Sequence, residues 1–529
     1  ELDEEKHVPQ ITKPKGLPQR TMLVDWERQP MMHPEDLVAY AKLMGYSAVS
    51  PIILKWTTTS YNGTLSGYEA HDVDDRGYLL RQADDTEVDG ESLVPGKKPM
   101  HQRYLDATKA AGMGYVPRVE YGGSDDIPYV GHAMGADGEP AKPNRFHTWV
   151  SNLLHSSVWK DLERTMEFFI HPYVADNDQL QGVLWRIRCD RLQISYGLGD
   201  IELFAEETKT ELPKLPANEL AAWAATDAKE AYETWWHAKR ATFHRRLAEL
   251  LRSYRPDLKL LYFNWDNDKF WLGLHDRFSA ARAQEDVKAR AGMVPAVYRR
   301  NLKMRSAFSN EDYVTMIRTG EFGEMPGWGA DFGIRTELYQ DIEGMQLFCP
   351  ANYLYLADNP EFINYFRTDA GLAVSNVVSY DEAGSRYLNP RYEGNMITPS
   401  GPAFSMALEL LAYFHGDADT LAYTVYTYGR GFAATHRRFA QAFLALPATQ
   451  GIVVEQPNEE IKLRRYPSKN GTYIGLAYRG YEAAPLTVTI PDRGTVIDLV
   501  TGETLSTKTV EGGQQFTIQS EAMALHSFL

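Results

Sequence analysis

A chain of 529 residues is longer than one ordinary domain and suits a barrel-sized module with an accessory domain. Hydrophobic residues at 43% and charged residues at 24%, with no apolar run of membrane-spanning length, describe a globular chain and argue against a membrane span or a disordered tract. The net charge of -16 argues against a general nucleic-acid binder, because counterion release on a phosphate backbone needs a basic surface.

For about the first 450 residues one theme repeats: a short apolar or β-branched run, a polar loop, then an amphipathic helical stretch, the pattern of βαβ units around a parallel sheet. The first strand is expected over 21–26 (TMLVDW) and the first helix over 33–44, where Leu37, Tyr40, Ala41 and Met44 recur at helical spacing. A second strand over 47–53 and a helix over 100–113 follow, then a third strand over 114–121 (GYVPRVEY) and a helical region over about 145–171. The fourth strand, 182–190 (GVLWRIRCD), returns through helix over 217–254 to a fifth at 258–265 (LKLLYFNW). Residues 267–343 are too long for one crossover and are expected to form a helical insertion over the barrel mouth. Strands over 345–356, 372–380 and 420–428, with helices over 404–415 and 434–446, bring the count to eight. The expected architecture is a (β/α)8 barrel over 1–447 and, over 448–529, a small antiparallel β-sandwich of strands at 451–454, 461–466, 472–478, 486–490, 495–498, 515–519 and 522–528.

The fourth strand is the most pointed segment. Side chains alternate along a strand, so if Leu184 faces one side, Arg186, Arg188 and Asp190 share it. Two arginines and an aspartate on one face fit either an internal ion-pair network or a solvated pocket at the strand's carboxyl end, where a β/α barrel keeps its active site. The same rule applied to the other strands returns Asp25, Arg118, Glu120, Asn264, Asp266, Asn352, Tyr380, Asp381 and Glu382. Carboxylates dominate, and no GxSxG elbow, HExxH helix, P-loop or GxGxxG turn competes with them. Glycosidic hydrolysis needs one protonated and one ionised carboxyl group across the sugar, which this set supplies.

Here the chain resembles the clan A glycoside hydrolases, the group that includes β-galactosidases and many agarases. The resemblance lies in a barrel followed by a β-sandwich, in ISYGLGDIELFAEETKTELP at 194–213 after the fourth strand, and in VVSYDEAGSR at 377–386 ending the seventh. It implies a retaining mechanism with Glu382 as nucleophile, Asp381 being the adjacent competitor. The family's Asn-Glu pair at the tip of the fourth strand is missing. The acid/base then falls to Asp190, or to Glu120 or Asp266 on neighbouring strands. Glu206 and Glu207 are further candidates, though FAEET reads as a helical turn.

Arg118, Arg186 and Arg188 share the parity of these carboxylates, and a guanidinium suits bidentate capture of carboxylate or sulfate. The expected substrate is a carbohydrate, in particular a sulfated or anhydro-galactose-containing algal galactan. The alternative role for the arginines is to hold Glu120 and Asp190 ionised. Trp56, Tyr121, Trp271 and Tyr380 are candidates for sugar stacking, while Trp185 and Trp265 are assigned by phase to the helix side. A non-catalytic glycan-binding barrel and a lyase or epimerase acting on uronic acids are the rival readings.

No cofactor and no metal are expected. Cys189 and Cys349 read as buried thiols. His237 and His244, seven apart on one helix, lack the spacing of a helix metal clamp and suit packing or surface roles. Asn62 and Asn470 match glycosylation acceptors, and the loop GGSDDIPY from Gly122 is a weak calcium pattern. The chain opens at Glu1 without Met or an apolar leader run, which fits a processed exported protein; the expected location is secreted or periplasmic.

Overall fold

The computed structural model describes residues 8–26, 34–54, 100–119, 131–141, 151–187, 194–264, 335–351, 360–376, 405–424 and 433–529. Parallel strands close a barrel in chain order: β1 (Thr21–Trp26), β2 (Ala48–Leu54), β3 (Gly114–Tyr115) with β4 (Arg118–Val119), β5 (Gly182–Ile187), β6 (Lys259–Asn264), β7 (Met345–Ala351), β8 (Ala373–Asn376) and β9 (Thr420–Thr424). The ring closes where β9 pairs back on β1, from Thr21↔Thr420 to Asp25↔Thr424. β3 and β4 occupy one strand position. Pro117 lies between them and, lacking an N–H, cannot donate to the ladder, although its carbonyl accepts from Leu184 N at 2.9 Å.

Side-chain alternation sorts the barrel into two cores. Leu23, Ala48, Val116, Leu184, Leu261, Phe348, Ala373 and Ala422, one from each strand position, form a separate apolar layer inside the barrel. Their chain neighbours, among them Val24, Val49, Trp185, Tyr262, Leu347 and Val374, join the larger core beneath the helices. Trp185 is therefore a packing residue, as its phase predicts. Gly182 opens β5 where that strand meets β6 most closely: a Cβ there would collide with the Lys259 carbonyl oxygen.

The covering helices are α1 (Pro34–Met44), α2 (Met100–Ala111), α3 (Ser156–Phe169), α4 (His171–Val174), α5 (Leu198–Thr208), α6 (Ala217–Ala225), α7 (Lys229–Tyr254), α8 (Ala407–Gly416) and α9 (Ala433–Leu444). Two expectations change, and residues 267–334 of the expected insertion lie outside the described residues. The helix expected from about 145 starts at Ser156, because the His155 ring caps it by accepting from Ser157 N at 3.2 Å. The expected helix over 217–254 is broken at Thr226, where α6 ends. Of the 267–343 insertion, the described tail forms a short 3-10 turn (Thr336–Leu338) packed on α7. His237 and His244 both lie in the buried face of α7, in packing roles.

From residue 452 onward the chain is antiparallel: β10 (Ile452–Val454), β11 (Ile461–Ser468), β12 (Gly471–Tyr478), β13 (Ala484–Ile490), β14 (Val496–Ile497), β15 (Thr504–Leu505), β16 (Thr507–Val510), β17 (Gly513–Ser520) and β18 (Ala524–Phe528). One sheet runs β10-β11-β12-β18 and another β13-β17-β16, with a β14-β15 ribbon. Leu463, Leu476, Val488, Phe516 and Phe528 interdigitate between them. β15 and β16 lie in ETLSTKTV, which carries no apolar alternation and predicts no strand. The sandwich packs on the barrel through α8 against β12 and α9 against β18. At Gly475 the contact is close enough that a Cβ would meet the Tyr413 hydroxyl.

Candidate active site

The apolar layer fixes which residues come next toward the strand carboxyl ends. Two residues beyond it stand Asp25 on β1, Ser50 on β2, Arg118 on β4, Arg186 on β5, Ser375 on β8 and Thr424 on β9. The register ties several of these together: Asp25 pairs with both Ser50 and Thr424, and Arg118 pairs with Ile52 and Leu184. On the other two strands the corresponding positions hold Phe263 and Pro350, so six of the eight strand positions carry a polar residue type at this level. Arg118, Ser50 and Ser375 are fully buried. Among the described residues the hydroxyls of Ser50 and Ser375 have no hydrogen-bond partner. A buried hydroxyl left unpaired costs about 1–3 kcal/mol, so the two serines mark a level of the barrel that is not optimised for stability.

Above that level, two connections are tied to each other. Asn152 Nδ2 donates to both carboxylate oxygens of Asp200, at 3.1 and 2.9 Å. Ser195 Oγ accepts from Met134 N at 3.0 Å, Met134 O accepts from Tyr196 N at 2.8 Å, and the Tyr232 hydroxyl donates to Ser195 O at 2.5 Å. The knot joins the segment after β4 to the segment after β5 and anchors both on α7. Burial raises the Asp200 pKa, opposed by hydrogen bonds from Ser195, Asn152 and the Gly197 backbone. Only the acid in the first turn of α5 signalled this knot in the sequence.

The carboxylates on FAEET are helical, in the last turn of α5. Glu207 accepts from Trp235 Nε1 at 2.7 Å and from Lys239 Nζ at 2.5 Å, bonds from Lys239 and Trp235 that lower its pKa. It fastens α5 to α7. On β6 the phase differs from expectation. Leu261 belongs to the interior layer, so Asn264 has the parity of the helix-facing Leu260 and Tyr262 and not of the barrel interior. Arg118 and the strand position of Arg186 stand two residues beyond the interior Val116 and Leu184. Trp56, Glu120, Tyr121, Arg188, Asp190, Asp266, Trp271, Asn352, Tyr380, Asp381 and Glu382 lie outside the described residues, as do Asn62, Cys189, Trp265 and the 122–129 loop.

Cys349 is a buried thiol whose pKa burial pushes up. Among the described residues no group of His, Cys, Asp and Glu could hold a metal ion, and no helix is long and apolar enough to cross a membrane.

No family model matches the sequence, and no curated protein matches it. Solved structures give faint likenesses of outline. A GH30 endoxylanase from Clostridium papyrosolvens aligns over 98% of this chain and 97% of its own at 8% identity and a TM-score of 0.40. An α-amylase from Geobacillus thermoleovorans, complexed with acarbose, aligns over 96% and 97% at 9% identity and 0.42. A debranching enzyme from Nostoc punctiforme aligns over 98% and 99% at 12% identity and 0.41. Scores at this level carry no argument about fold or reaction. The barrel assignment rests on the closed parallel pairing and the one-per-strand interior layer.

Proposed function

We propose that the chain is a glycoside hydrolase whose active site is the carboxyl-end face of the barrel. The observation that supports this most is the interior parity: Leu184 lies in the apolar layer and Arg186 two residues further along β5, and the same parity in the sequence falls on Arg188 and Asp190. Together with the fully buried Arg118, this favours a polar, arginine-bearing pocket over a sealed hydrocarbon core.

In this reading Glu382 is the nucleophile and Asp190 the acid/base, with Glu120, Asp266 and Asp381 as the neighbouring carboxylates. The donor protonates the glycosidic oxygen while Glu382 attacks the anomeric carbon, and water then releases the sugar. Arg118, Arg186 and Arg188 meet an anionic carbohydrate such as a sulfated algal galactan. Tyr121, Tyr380, Trp56 and Trp271 offer faces for sugar rings, with Asn352 donating hydrogen bonds. The catalytic barrel spans 1–447, the sandwich 448–529, and the protein works outside the cytoplasm, secreted or periplasmic.

Replacing Glu382 by Gln tests the assignment. The variant is expected to lose turnover of galactan oligosaccharides by at least about a thousandfold while still binding them. Undiminished turnover would refute it, and an unsaturated product absorbing in the ultraviolet would replace hydrolysis by elimination.

A further inference from the structure

At the opposite, amino-terminal mouth of the barrel lies a cavity of about 720 Å³. Its inner wall is set by the same alternation that builds the apolar layer. Thr21, Lys259, Gln346 and Thr420 stand two residues before Leu23, Leu261, Phe348 and Ala422, so their side chains belong to the barrel interior, and all four line the cavity. Asp419, adjacent to Thr420, lines it as well. The volume falls in the range of small-molecule sites, roughly 300–1,000 Å³.

The floor of a barrel is ordinarily packed for stability. Here it carries a lysine. Among the described residues the Lys259 ammonium makes neither a hydrogen bond nor an ion pair. Asp419 raises its pKa through space without coming within ion-pair distance, and burial, the larger effect, pushes it down. Asp419 is already engaged, its Oδ2 accepting from Leu372 N at 2.8 Å. Amide and hydroxyl groups on the same interior face also line the cavity. Thr420 Oγ1 donates to Gln346 Oε1 at 3.2 Å, and Gln346 Nε2 reaches only a distant carbonyl, Ala370 O at 3.5 Å. The wall therefore sets the Lys259 ammonium beside amide and hydroxyl groups, with the Asp419 carboxylate acting on it through space, and Lys13, Lys109, Asp176, Asp178 and Asp257 line the cavity as well.

We propose that the amino-terminal mouth is a second small-molecule site that takes a hydroxylated carboxylate of the sugar-acid class. The ligand's carboxylate rests on the Lys259 ammonium and its hydroxyls on Gln346, Thr420 and Thr21. A carboxylate there supplies the partner that the ammonium lacks. The site is independent of the carboxyl-end face, being at the other end of the strands.

Calorimetric titration of the full chain with sodium gluconate, and with sorbitol as its uncharged counterpart, tests the proposal. Gluconate is expected to bind with a Kd of about 1 mM or tighter and sorbitol not at all over the same range. Lys259→Met should weaken gluconate at least about tenfold. Should that variant fail to fold, Thr21→Val, which keeps the shape, is expected to weaken it by about threefold. Absence of gluconate binding, equal binding of sorbitol, or unchanged affinity in the folded variants would each overturn the site.

Discussion

The Arg20 guanidinium and the Asp417 carboxylate meet at 2.7 Å with almost no exposure to water, where the first barrel strand, the turn before the last one and the sandwich come together. Arg20 also lies over the rings of Tyr413, Phe443 and Tyr466, with its Cζ 5.2 to 5.4 Å from their centroids. Asp417 accepts from the Tyr466 hydroxyl and from Gly451 N, each at 2.7 Å. Burial alone would raise the Asp417 pKa, but Arg20, Arg464 and these hydrogen bonds outweigh it and hold the group below its usual value.

Asp417→Asn should therefore be costly. Asp417 sits at φ 49°, which asparagine tolerates, so the substitution removes charge without straining the backbone. It leaves Arg20 buried and unpaired, at an expected cost of about 3–5 kcal/mol. Chemical denaturation should register this as early loss of the sandwich contact, and Arg20→Met combined with Asp417→Asn should recover part of it. Equal destabilisation by the single and double variants would refute the pairing argument.

Acid sensitivity should begin well above the carboxylate range. Burial holds His101 and His244 down to about 3 and His526 to about 4. These rings stay neutral in the fold while an unfolded histidine takes a proton near pH 6.5, so the stability they carry is complete above about pH 6.5 and declines as pH falls toward 3–4. His244→Phe removes one such group from between Trp185 and Tyr262. Melting curves of the variant between pH 6.5 and 4 should be flatter than those of the parent by up to about 1.4 kcal/mol per pH unit.

Gly182→Ala should be among the most damaging single-methyl changes in the barrel. The new Cβ would overlap the Lys259 carbonyl oxygen, a backbone atom that cannot rotate away. Separation of β5 from β6 would follow, at an expected cost of about 3 kcal/mol or more. A melting temperature within two degrees or so of the parent would show that the strands can part without loss.

Asp200→Ala should loosen the carboxyl-end rim while sparing the strands. Asn152 would lose both of its carboxylate partners and Ser195 a neighbour, an expected loss of about 2–3 kcal/mol. Hydrogen exchange should accelerate over 131–141 and 194–197 and stay unchanged in β5 and β6. Uniform acceleration throughout the barrel would instead make Asp200 a global stability residue.

Much of this architecture was legible in the chain because alternation and helical spacing are local properties. TMLVDW reads as a strand from its own composition, and β1 occupies those six residues. What escaped were features set by distant partners. The phase of β6 could not be taken from LKLLYFNW, which is apolar on both faces, and only the interior layer shows that Leu261 points inward. The Asn152–Asp200 knot joins residues 48 positions apart, and the place of Lys259 on the barrel floor follows from the closed ring of strands. β15 and β16 are paired by neighbours and not by their own side-chain pattern. For the candidate site, parity was readable for Arg118 and Arg186 but not for Asn264.

The closure of the ring has a consequence for how the chain reaches this state. β1 finds one neighbour in β2 within a few dozen residues, but its other edge pairs with β9, about 400 positions later. Until β9 arrives, β1 and the growing sheet present open parallel edges, the sort of surface that recruits other chains. This seam between the most distant strands is also the one capped by Arg20, Asp417 and Tyr466. The sandwich thus fastens the barrel at its joint of longest sequence separation, and a chain cut short before it is expected to leave that joint prone to opening and association.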